Sequence, residues 1–441
     1  MATAASFIAT TRFGLGPKPG EQERIAADPR AWLVEQIVPP DLPPSALAGL
    51  PSSRDYLTDL GAARRQSGEE KMAARKARRM AHRKEVALRT RAQIEAGDPF
   101  HERLVAFWSN HFTVSVKKPH LFAIAGAYER EAIRPHVVGR FEDMLSAVLH
   151  HPAMLLYLDN VQSIGPNSPA GKRRHRGLNE NLAREILELH TLGVDGGYAQ
   201  EDVTELARIL TGWSIGRQRD DVPGGFAFHA RAHEPGAKTL LGVRYPESGI
   251  EEGETAFAAL TRHPSTARHI ATKLARHFIA DEPPDDAVSR LATIFRDTEG
   301  DLAALARSLV QEDAAWANPT AKVKTPNDFV VSALRATGVD ADSKRLVGSL
   351  ELLGQAPFAA PSPAGWPDTG EHWIGPGATL SRAEWALAFG RRLAGHRPHE
   401  ALVATTIEPF VSASTRLTIE RAPSEAEAIA LVLASPEFQR R

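Results

Sequence analysis

Cysteine is absent from the 441-residue sequence, and its absence excludes disulfides, thiolate nucleophiles and cysteine-ligated zinc or iron–sulfur centres. No uninterrupted apolar run approaches the length needed to span a bilayer. Neither sign of charge dominates, since 53 basic and 54 acidic side chains give a formal net charge of -1, so overall charge indicates no nucleic-acid or membrane partner. With 42% hydrophobic residues, the chain can bury a large core, and we expect a soluble globular protein.

Several short motifs are missing as well. The sequence has no G-x-S-x-G elbow, no P-loop, no H-E-x-x-H pair and no G-x-G-x-x-G after a strand. The first residues, MATAASFIATTRFGLG, lack the basic region and long apolar run of a secretory signal. We therefore expect the chain as given to be cytoplasmic, and expect none of the common nucleophile or nucleotide sites.

Helical periodicity dominates what the sequence does contain. Apolar residues at helical spacing predict a mainly α, multi-helical globular fold. A short alternating or apolar-rich stretch at 226–245 predicts a small β-hairpin excursion. Val203, Leu206, Leu210 and Trp213 give the helix before that excursion its core face. The parts of the chain are expected to form one compact unit, divided into 1–215, 216–250 and 251–441.

A strongly basic stretch runs from Arg64 to Ala96. Apolar residues repeat every seven positions along it and predict one long helix with a thin apolar seam; they are Ala73, Met80, Ala87 and Ile94. Its basic surface could contact phosphates, but no aromatic residues are interleaved with the basic ones. A solvated helix that packs through its seam is therefore the favoured interpretation, and nucleic-acid binding the less favoured one.

The densest polar pattern lies on a predicted helix at 179–192. Asn181, Arg184, Glu185 and Glu188 share one stripe, and His190 lies near the middle of the apolar arc. One interpretation is a solvated ladder, Glu180–Arg184–Glu188, at i,i+4 spacing. The other is a buried polar cluster at a functional site. The segment alone does not decide between them.

A wider set of polar residues could converge with this helix. The predicted catalytic residues are Glu185, Glu188, Arg184, His190, Asn181, His111, Tyr128 and Arg130. A bound divalent metal is a weaker possibility, because the Glu-x-x-His spacing of di-metal helical bundles is missing. Its candidate ligands are Glu185, Glu188, His111 and His136. A buried ion-pair network is the favoured alternative. The long Pro/Gly-rich loop 355–379, with Trp366 and Trp373, could cover the site.

These stretches resemble the large bacterial domain-of-unknown-function 1800 family (DUF1800). The matching stretches are RFGLGP at 12–17, FWSNHF at 107–112, YEREAIRPHVVGRFEDML at 128–145, HPAMLLYLDN at 151–160, GLNENLAREILELHTLGVDGGYAQEDV at 177–203, LTGW at 210–213, HEPGAKTLLG at 233–242, HPSTARHIATKLARHF at 263–278, LGQAPFAAPSPAGWP at 353–367 and LASPEFQRR at 433–441. The resemblance covers nearly the whole chain in order.

The resemblance implies no activity, because none is established for the family, and it supplies no catalytic residues. It implies frequent export of family members through a leader that this chain lacks. It also implies a possible partner, a sulfatase-like protein of a second family of unknown function (DUF1501). Ala199 stands where the family usually has threonine and Leu182 where tyrosine is frequent, so chemistry by either hydroxyl would be lost here.

Three functions remain open from the sequence. The first is an enzyme that uses the polar cluster for acid–base or metal-assisted, hydrolytic chemistry. The second is a non-catalytic helical scaffold or accessory subunit of the sulfatase-like partner. The third is nucleic-acid binding through the basic helix.

Overall fold

Helices build most of the protein: within the part of the chain that the structure describes, 61% of the residues are helical, in 23 helices, and two small two-stranded antiparallel sheets complete the fold. The structure is a computed structural model that describes residues 2–39, 44–63, 68–174, 177–218, 220–340 and 342–441. The predicted mainly α fold with a small β excursion is confirmed. No helix among the described residues combines the length and the apolar character needed to cross a membrane.

Short helices alternate with a few long ones before the sheets. They are α1 (Ala4–Ile8), α2 (Glu21–Ile25), α3 (Pro29–Val34), α4 (Ser53–Ala63), α5 (Gly68–Glu95), α6 (Pro99–His111), α7 (Ala125–Tyr128), α8 (Phe141–His150), α9 (Pro152–Tyr157), α10 (Pro169–Arg174), α11 (Asn181–Glu185) and α12 (Gln200–Ile209). Helices α1, α7 and α11 continue as π-helical turns at Ala9–Phe13, Glu129–Ile133 and Ile186–His190. Short 3₁₀ turns join several of the others.

The β excursion consists of two hairpins. Strand β1 (Trp213–Ile215) pairs with β2 (Phe226–Phe228), and β3 (Lys238–Leu240) pairs with β4 (Val243–Tyr245). Trp213 was predicted on the core face of α12, but that helix ends at Ile209 and Trp213 begins β1. The cause is Gly212, whose φ of 85° turns the chain out of the helix. Trp213 is nevertheless fully buried, as predicted for a core residue.

Longer amphipathic helices follow the sheets. They are α13 (Ile250–Arg262), α14 (Pro264–Phe278), α15 (Asp285–Asp297), α16 (Leu302–Gln311), α17 (Ala314–Ala317), α18 (Pro326–Thr337), α19 (Ser343–Leu352), α20 (Pro376–Leu393), α21 (His399–Thr406), α22 (Ala413–Glu420) and α23 (Glu425–Ala434). The loop between α19 and α20 contains the two tryptophans of the predicted cover. Helix α20 begins at Pro376, so this loop ends before residue 379.

Among the described residues, buried apolar side chains form one large cluster, one smaller cluster and a third cluster of three residues, Val86, Ala87 and Val347. The large one draws its members from Phe7 to Ala315, and the smaller from Phe329 to Phe438. Helices α18, α20, α21 and α23 supply most of the smaller cluster. The apolar burial of these clusters is the main source of stability for the fold.

Helix α5 is only half embedded. In its second half Ala87 is buried, with 2% of its surface exposed, whereas Met80 in its first half is 63% exposed. Ala73 is exposed as well. The predicted seam therefore packs in the second half of α5, which contacts α7, α18 and α19 among other elements, and the first half lies on the surface. Residues 64–67, where the predicted helix began, lie outside the described residues.

Three buried arginines hold the turn that follows α1. Arg103, Arg335 and Arg441 donate to backbone carbonyls of this turn. The acceptors are the carbonyls of Thr11, Arg12, Gly14 and Gly16. These groups end a helix and would otherwise lack partners. The turn thereby joins α6, α18 and residue 441 at one place.

Candidate functional site

The polar stripe of α11 lies at the protein surface. Asn181 is exposed, and Arg184, Glu185 and Glu188 are half-buried. Arg184 bridges Glu180 at 3.2 Å and Glu188 at 3.5 Å. This is the i,i+4 ladder of the first of the two sequence interpretations, in which each partly exposed pair contributes a few tenths of a kcal/mol. Partial burial, together with the charge of Glu188, raises the pKa of Glu185.

His190 and His111 lie beneath this stripe, in the core. The Nε2 atom of His111 is 3.2 Å from the carbonyl oxygen of His190, and the two ring centroids are 6.2 Å apart. Burial, followed by the nearby charge of Lys273, lowers the pKa of His190 to about 3 and that of His111 well below its usual value. Both imidazoles are therefore neutral near pH 7. His111 has the backbone partner expected of a core histidine.

The other predicted residues are placed elsewhere. Tyr128 is buried and donates its hydroxyl hydrogen to the carbonyl of Phe112 at 2.7 Å. Arg130 pairs with Glu85 at 2.9 Å, and His136 is half-buried, with a pKa lowered by burial. The structure thus brings His111 to His190 and Arg184 to Glu188. It places Tyr128 and Arg130 in contacts of their own.

Metal-ligand geometry is found at a different place from the predicted one. Among the described residues, one group of three His, Asp or Glu side chains has ligand atoms within 4.8 Å of one another: His399, Glu400 and Glu425. Glu425 there also accepts the backbone N–H of His399 at 2.5 Å and lies 2.9 Å from its Nδ1, so hydrogen bonding accounts for the arrangement. Neither Glu185, Glu188, His111 nor His136 belongs to such a group.

A cleft that is open to solvent, with a cavity volume of about 100 Å³, lies where α6, α14, the start of α18 and the loop before α20 meet. Charged and aromatic side chains line it, among them Arg89, Arg103, His277, Asp328, Trp366 and Asp368. Concave sites with a few convergent polar groups are the usual location of ligand binding. We therefore take this cleft as the candidate functional site.

The tryptophan loop forms one wall of the cleft. The side-chain amide of Asn110, in α6, donates to the carbonyl of Trp366 at 2.9 Å and accepts the Trp366 N–H at 2.7 Å. Gly365, with φ 84°, makes this approach possible, because a Cβ there would lie 2.5 Å from the Asn110 carbonyl oxygen. The loop thus packs against α6, and the site that it covers is this cleft.

His277 and Asp368 form a hydrogen-bonded pair in the cleft. The Nδ1 atom of His277 lies 2.8 Å from Asp368 Oδ2. Burial lowers the pKa of His277 to about 4, even though Asp368 acts to raise it. Burial acts to raise the pKa of Asp368, but the charges of His277, Lys322 and Arg441 hold it well below its usual value. Because Asp368 is ionised, Nδ1 carries the imidazole hydrogen and Nε2 carries the lone pair. That Nε2 is buried and has no hydrogen-bond partner among the described residues.

Asp328 anchors the deep end of the cleft. Its Oδ1 lies 3.0 Å from Arg103 Nη1 and its Oδ2 lies 3.1 Å from Arg441 Nε. It also accepts the N–H of Thr325 in a capping box at the start of α18. Burial acts to raise the pKa of Asp328, but the two guanidinium groups hold it far below its usual value.

Cationic side chains outnumber carboxylates around these two aspartates. The cationic side chains are those of Lys273, Arg103, Lys322, Lys324 and Arg441, and the carboxylates are those of Asp281, Asp328 and Asp368. Burial lowers the pKa of Lys324 to about 7 and that of Lys273 to about 8. The surplus of positive charge favours an anionic ligand.

Sequence reasoning missed these residues, although some signals for them exist. Five of the stretches that carry the family resemblance meet at or just behind the cleft, through Arg12, Asn110, His277, Trp366 and Arg441. The spacing Thr325-x-x-Asp328 with a proline between them is a helix-start signal. Nothing in the local sequence pattern, however, indicates that the arginines near the cleft are buried, because arginine is rarely fully buried in proteins.

Residues 8–440 match the family model described as "Protein of unknown function (DUF1800)". The match covers nearly the whole chain and confirms the resemblance. No curated protein and no solved structure matches the sequence.

Proposed function

The chain belongs to the DUF1800 family of proteins of unknown function, and we propose that this member is a hydrolytic enzyme whose general base is His277. Its active site is the cleft between α6, α14 and the tryptophan loop. The observation that carries the proposal is the His277–Asp368 pair, in which Asp368 fixes the ring and leaves the basic Nε2 without a partner. A base oriented by a carboxylate in this way is a recurrent arrangement in hydrolases.

The unpartnered Nε2 is energetically costly in the free protein. A buried polar atom without a hydrogen bond costs about 1–3 kcal/mol. A substrate or an attacking water that donates to Nε2 would remove this cost. A bound anion would also raise the pKa of His277 from about 4 toward neutral pH, where a general base is most effective.

The reaction we propose is hydrolysis of an ester-type bond. Nε2 takes a proton from water, the water oxygen forms a bond to the electrophilic centre, and the bond to the leaving group breaks. The imidazolium then returns its proton to the leaving group. Arg441 and Arg103 lie close to the pair and lower the pKa of His277, so their charge is placed to stabilise negative charge that develops in the transition state.

The test compares His277→Gln and Asp368→Asn with the parent on nitrophenyl acetate, nitrophenyl phosphate and nitrophenyl sulfate. We expect kcat/KM to fall about 100-fold or more in His277→Gln and less in Asp368→Asn, with unchanged circular dichroism. His372→Gln is the control, because His372 lies in the same loop with half of its side chain exposed. A parent that hydrolyses none of the three esters, or a His277→Gln variant as fast as the parent, would refute the proposal.

The predicted site on α11 remains a separate hypothesis for the same assay. If Glu185 or Glu188 takes part in chemistry, Glu185→Gln and Glu188→Gln lower the rate more than they lower stability. The half-buried position of both residues makes the variants easy to fold. Rates equal to the parent would leave the stripe as a surface ladder only.

A second candidate function is binding of an acidic partner through the first half of α5. Met72 and Met80 are 74% and 63% exposed there, among the exposed basic residues Arg75, Lys76 and Arg79. Exposed methionines in a basic setting favour an interaction surface. We propose a sulfatase-like DUF1501 protein as the partner, so Met72→Glu with Met80→Glu should abolish its co-purification. Steeply salt-dependent binding of duplex DNA instead would indicate nucleic-acid binding.

A further inference from the structure

We propose that the cleft selects a substrate in which a carboxylate or similar anionic group is attached to a flat apolar portion, held by Arg89 and Phe358. This inference rests on the proposed function, because it names the substrate class of the same cleft. It depends on four observations: how Arg89 is fixed, which of its atoms are free, where Phe358 lies, and the charge of the surroundings.

Arg89, in the embedded half of α5, is fixed through its Nε atom. Its Nε donates to both carboxylate oxygens of Glu129, at 2.9 and 2.7 Å. Glu129 is in turn fixed by the Ser109 hydroxyl at 2.8 Å and by Arg134 at 3.8 Å. Arg89 is 12% exposed and Glu129 is 3% exposed, so the guanidinium group is pre-oriented rather than mobile.

The terminal amino groups of Arg89 remain free. Neither Nη1 nor Nη2 makes a hydrogen bond within the part of the chain that the structure describes, and the side chain lines the cleft. Two parallel N–H donors on a planar group match the two oxygens of a carboxylate or a phosphate. Fixing the guanidinium group beforehand reduces the entropy lost when such an anion binds.

Phe358 supplies an apolar wall beside these donors. Its ring centroid lies 5.3 Å from the Arg89 guanidinium carbon, and its side chain also lines the cleft. Its φ of 56° is in the left-handed region, which costs a non-glycine residue about 1–3 kcal/mol. The Val116 N–H donates a hydrogen bond to the Phe358 carbonyl at 2.8 Å. Trp366, also on the lining, offers a second flat surface.

The charge around the cleft also favours an anionic ligand. Lys273 and Lys324 have no carboxylate within salt-bridge distance among the described residues, while Asp328 and Asp368 are each flanked by arginine or lysine. An arriving anion is therefore attracted by the arginines and by the protonated form of the two lysines. Because the pKa values of these lysines are lowered to about 8 and about 7, anion binding should raise them, and the protein should take up protons near pH 7.5.

The experiment is calorimetric titration of the full-length protein with benzoate, acetate and benzyl alcohol at pH 7.5, in two buffers with different ionisation enthalpies. We expect benzoate to bind about tenfold more tightly than acetate, because its ring contacts the aromatic wall, and benzyl alcohol to bind more weakly than either. Proton uptake should accompany benzoate binding. Titration with phenyl phosphate in the same series shows whether phosphate replaces carboxylate as the preferred anion.

Variants assign the binding to residues. Arg89→Gln should weaken benzoate about tenfold or more, Arg89→Lys should weaken it less, and Phe358→Leu should remove the preference for benzoate over acetate. Arg91→Gln is the matched control, because Arg91 is on the same helix but pairs with the exposed Asp340. Equal affinity for benzoate and benzyl alcohol, or an Arg89→Gln variant with parental affinity and parental melting temperature, would overturn the inference.

The two proposals fail in different ways. Arg89-dependent benzoate binding together with an unchanged hydrolysis rate in His277→Gln would retain the anion site and reject His277 as the base. Loss of hydrolysis in His277→Gln, together with a benzoate affinity that is the same in Arg89→Gln as in the parent, would retain the base and reject the anion site.

Discussion

Replacing Asp328 by asparagine isolates the charge of one buried carboxylate. Asparagine has the same size and can still accept the Thr325 N–H that starts α18. It cannot balance Arg103 and Arg441, whose nitrogens lie 3.0 and 3.1 Å from the Asp328 oxygens. Both arginines are fully buried, so water cannot replace the lost charge.

The expected loss of stability follows from that burial. Removing one partner of a buried ion pair costs about 3–5 kcal/mol, because the other charge is left unpaired in a poorly polarisable environment. The entropy of unfolding scales at roughly 2.1 cal/mol/K per residue, which gives about 0.9 kcal/mol/K for 441 residues. The melting temperature should therefore fall by about 3–5 °C in a single cooperative transition.

The pH dependence gives a second, independent check. The folded pKa of Asp328 is lower than its unfolded value, so the parent's extra stability is fully present above about pH 4 and is lost as the pH falls through the folded pKa. Asparagine lacks this contribution at every pH. Urea unfolding followed by circular dichroism should show the same gap between parent and variant at pH 7 and pH 5, and a smaller gap below pH 4.

Asp313→Asn is the control, because Asp313 pairs with Arg30 but is 91% exposed. Its effect should stay below about 1 kcal/mol. If Asp328→Asn were as stable as the parent at pH 7, the buried arginines would have to be neutralised by other groups, and the assignment of the cleft's charge would be wrong.

Three further perturbations test other parts of the structure. Gly365→Ala should cost about 1–3 kcal/mol and shift tryptophan emission, since its Cβ would lie 2.5 Å from a carbonyl oxygen of α6; Gly354→Ala, at a similar φ of 85° with open space around it, should cost less and leave the emission unchanged. Glu188→Gln should change the free energy of unfolding by less than about 0.5 kcal/mol, and a larger loss would contradict a surface ladder. Lys238→Met should lower it by about 3–5 kcal/mol, because Glu252, paired with Lys238 at 2.8 Å and 0% exposed, would lose its cation; denaturant midpoints equal to the parent would reject this.

The helical architecture could be predicted because its signal is local. Apolar spacing predicted α12, and charged i,i+4 spacing offered the Glu180–Arg184–Glu188 ladder as one of two interpretations. Apolar spacing failed where another factor intervened. At Trp213, a glycine with positive φ ended the helix before the apolar pattern ended. Along α5, the seven-residue repeat was correct as a pattern, but Met80 lies in the surface half of the helix and is 63% exposed.

The cleft could not be predicted because its signal is long-range. His277 and Asp368 are 91 positions apart, and Asn110 and Trp366 are 256 positions apart. Periodicity within one helix shows which residues share a face, but it does not show what that face meets. It also treats Arg103 as a solvated side chain, since arginine is rarely fully buried.

The contact between Arg12 and Arg441 has a consequence for how the protein is made. The two residues are 429 positions apart, and the Arg12 guanidinium group donates to the Arg441 carbonyl at 3.1 Å. During synthesis Arg12 leaves the ribosome long before residue 441 exists. The carbonyls of Thr11, Gly14 and Gly16 can meet Arg103 and Arg335 earlier, whereas the contacts of Arg12 with Arg441 form only after residue 441 has been added. Closing so long a loop carries an entropic cost and slows folding. Chains truncated shortly before residue 441 should therefore be more sensitive to protease at this turn than the 441-residue chain.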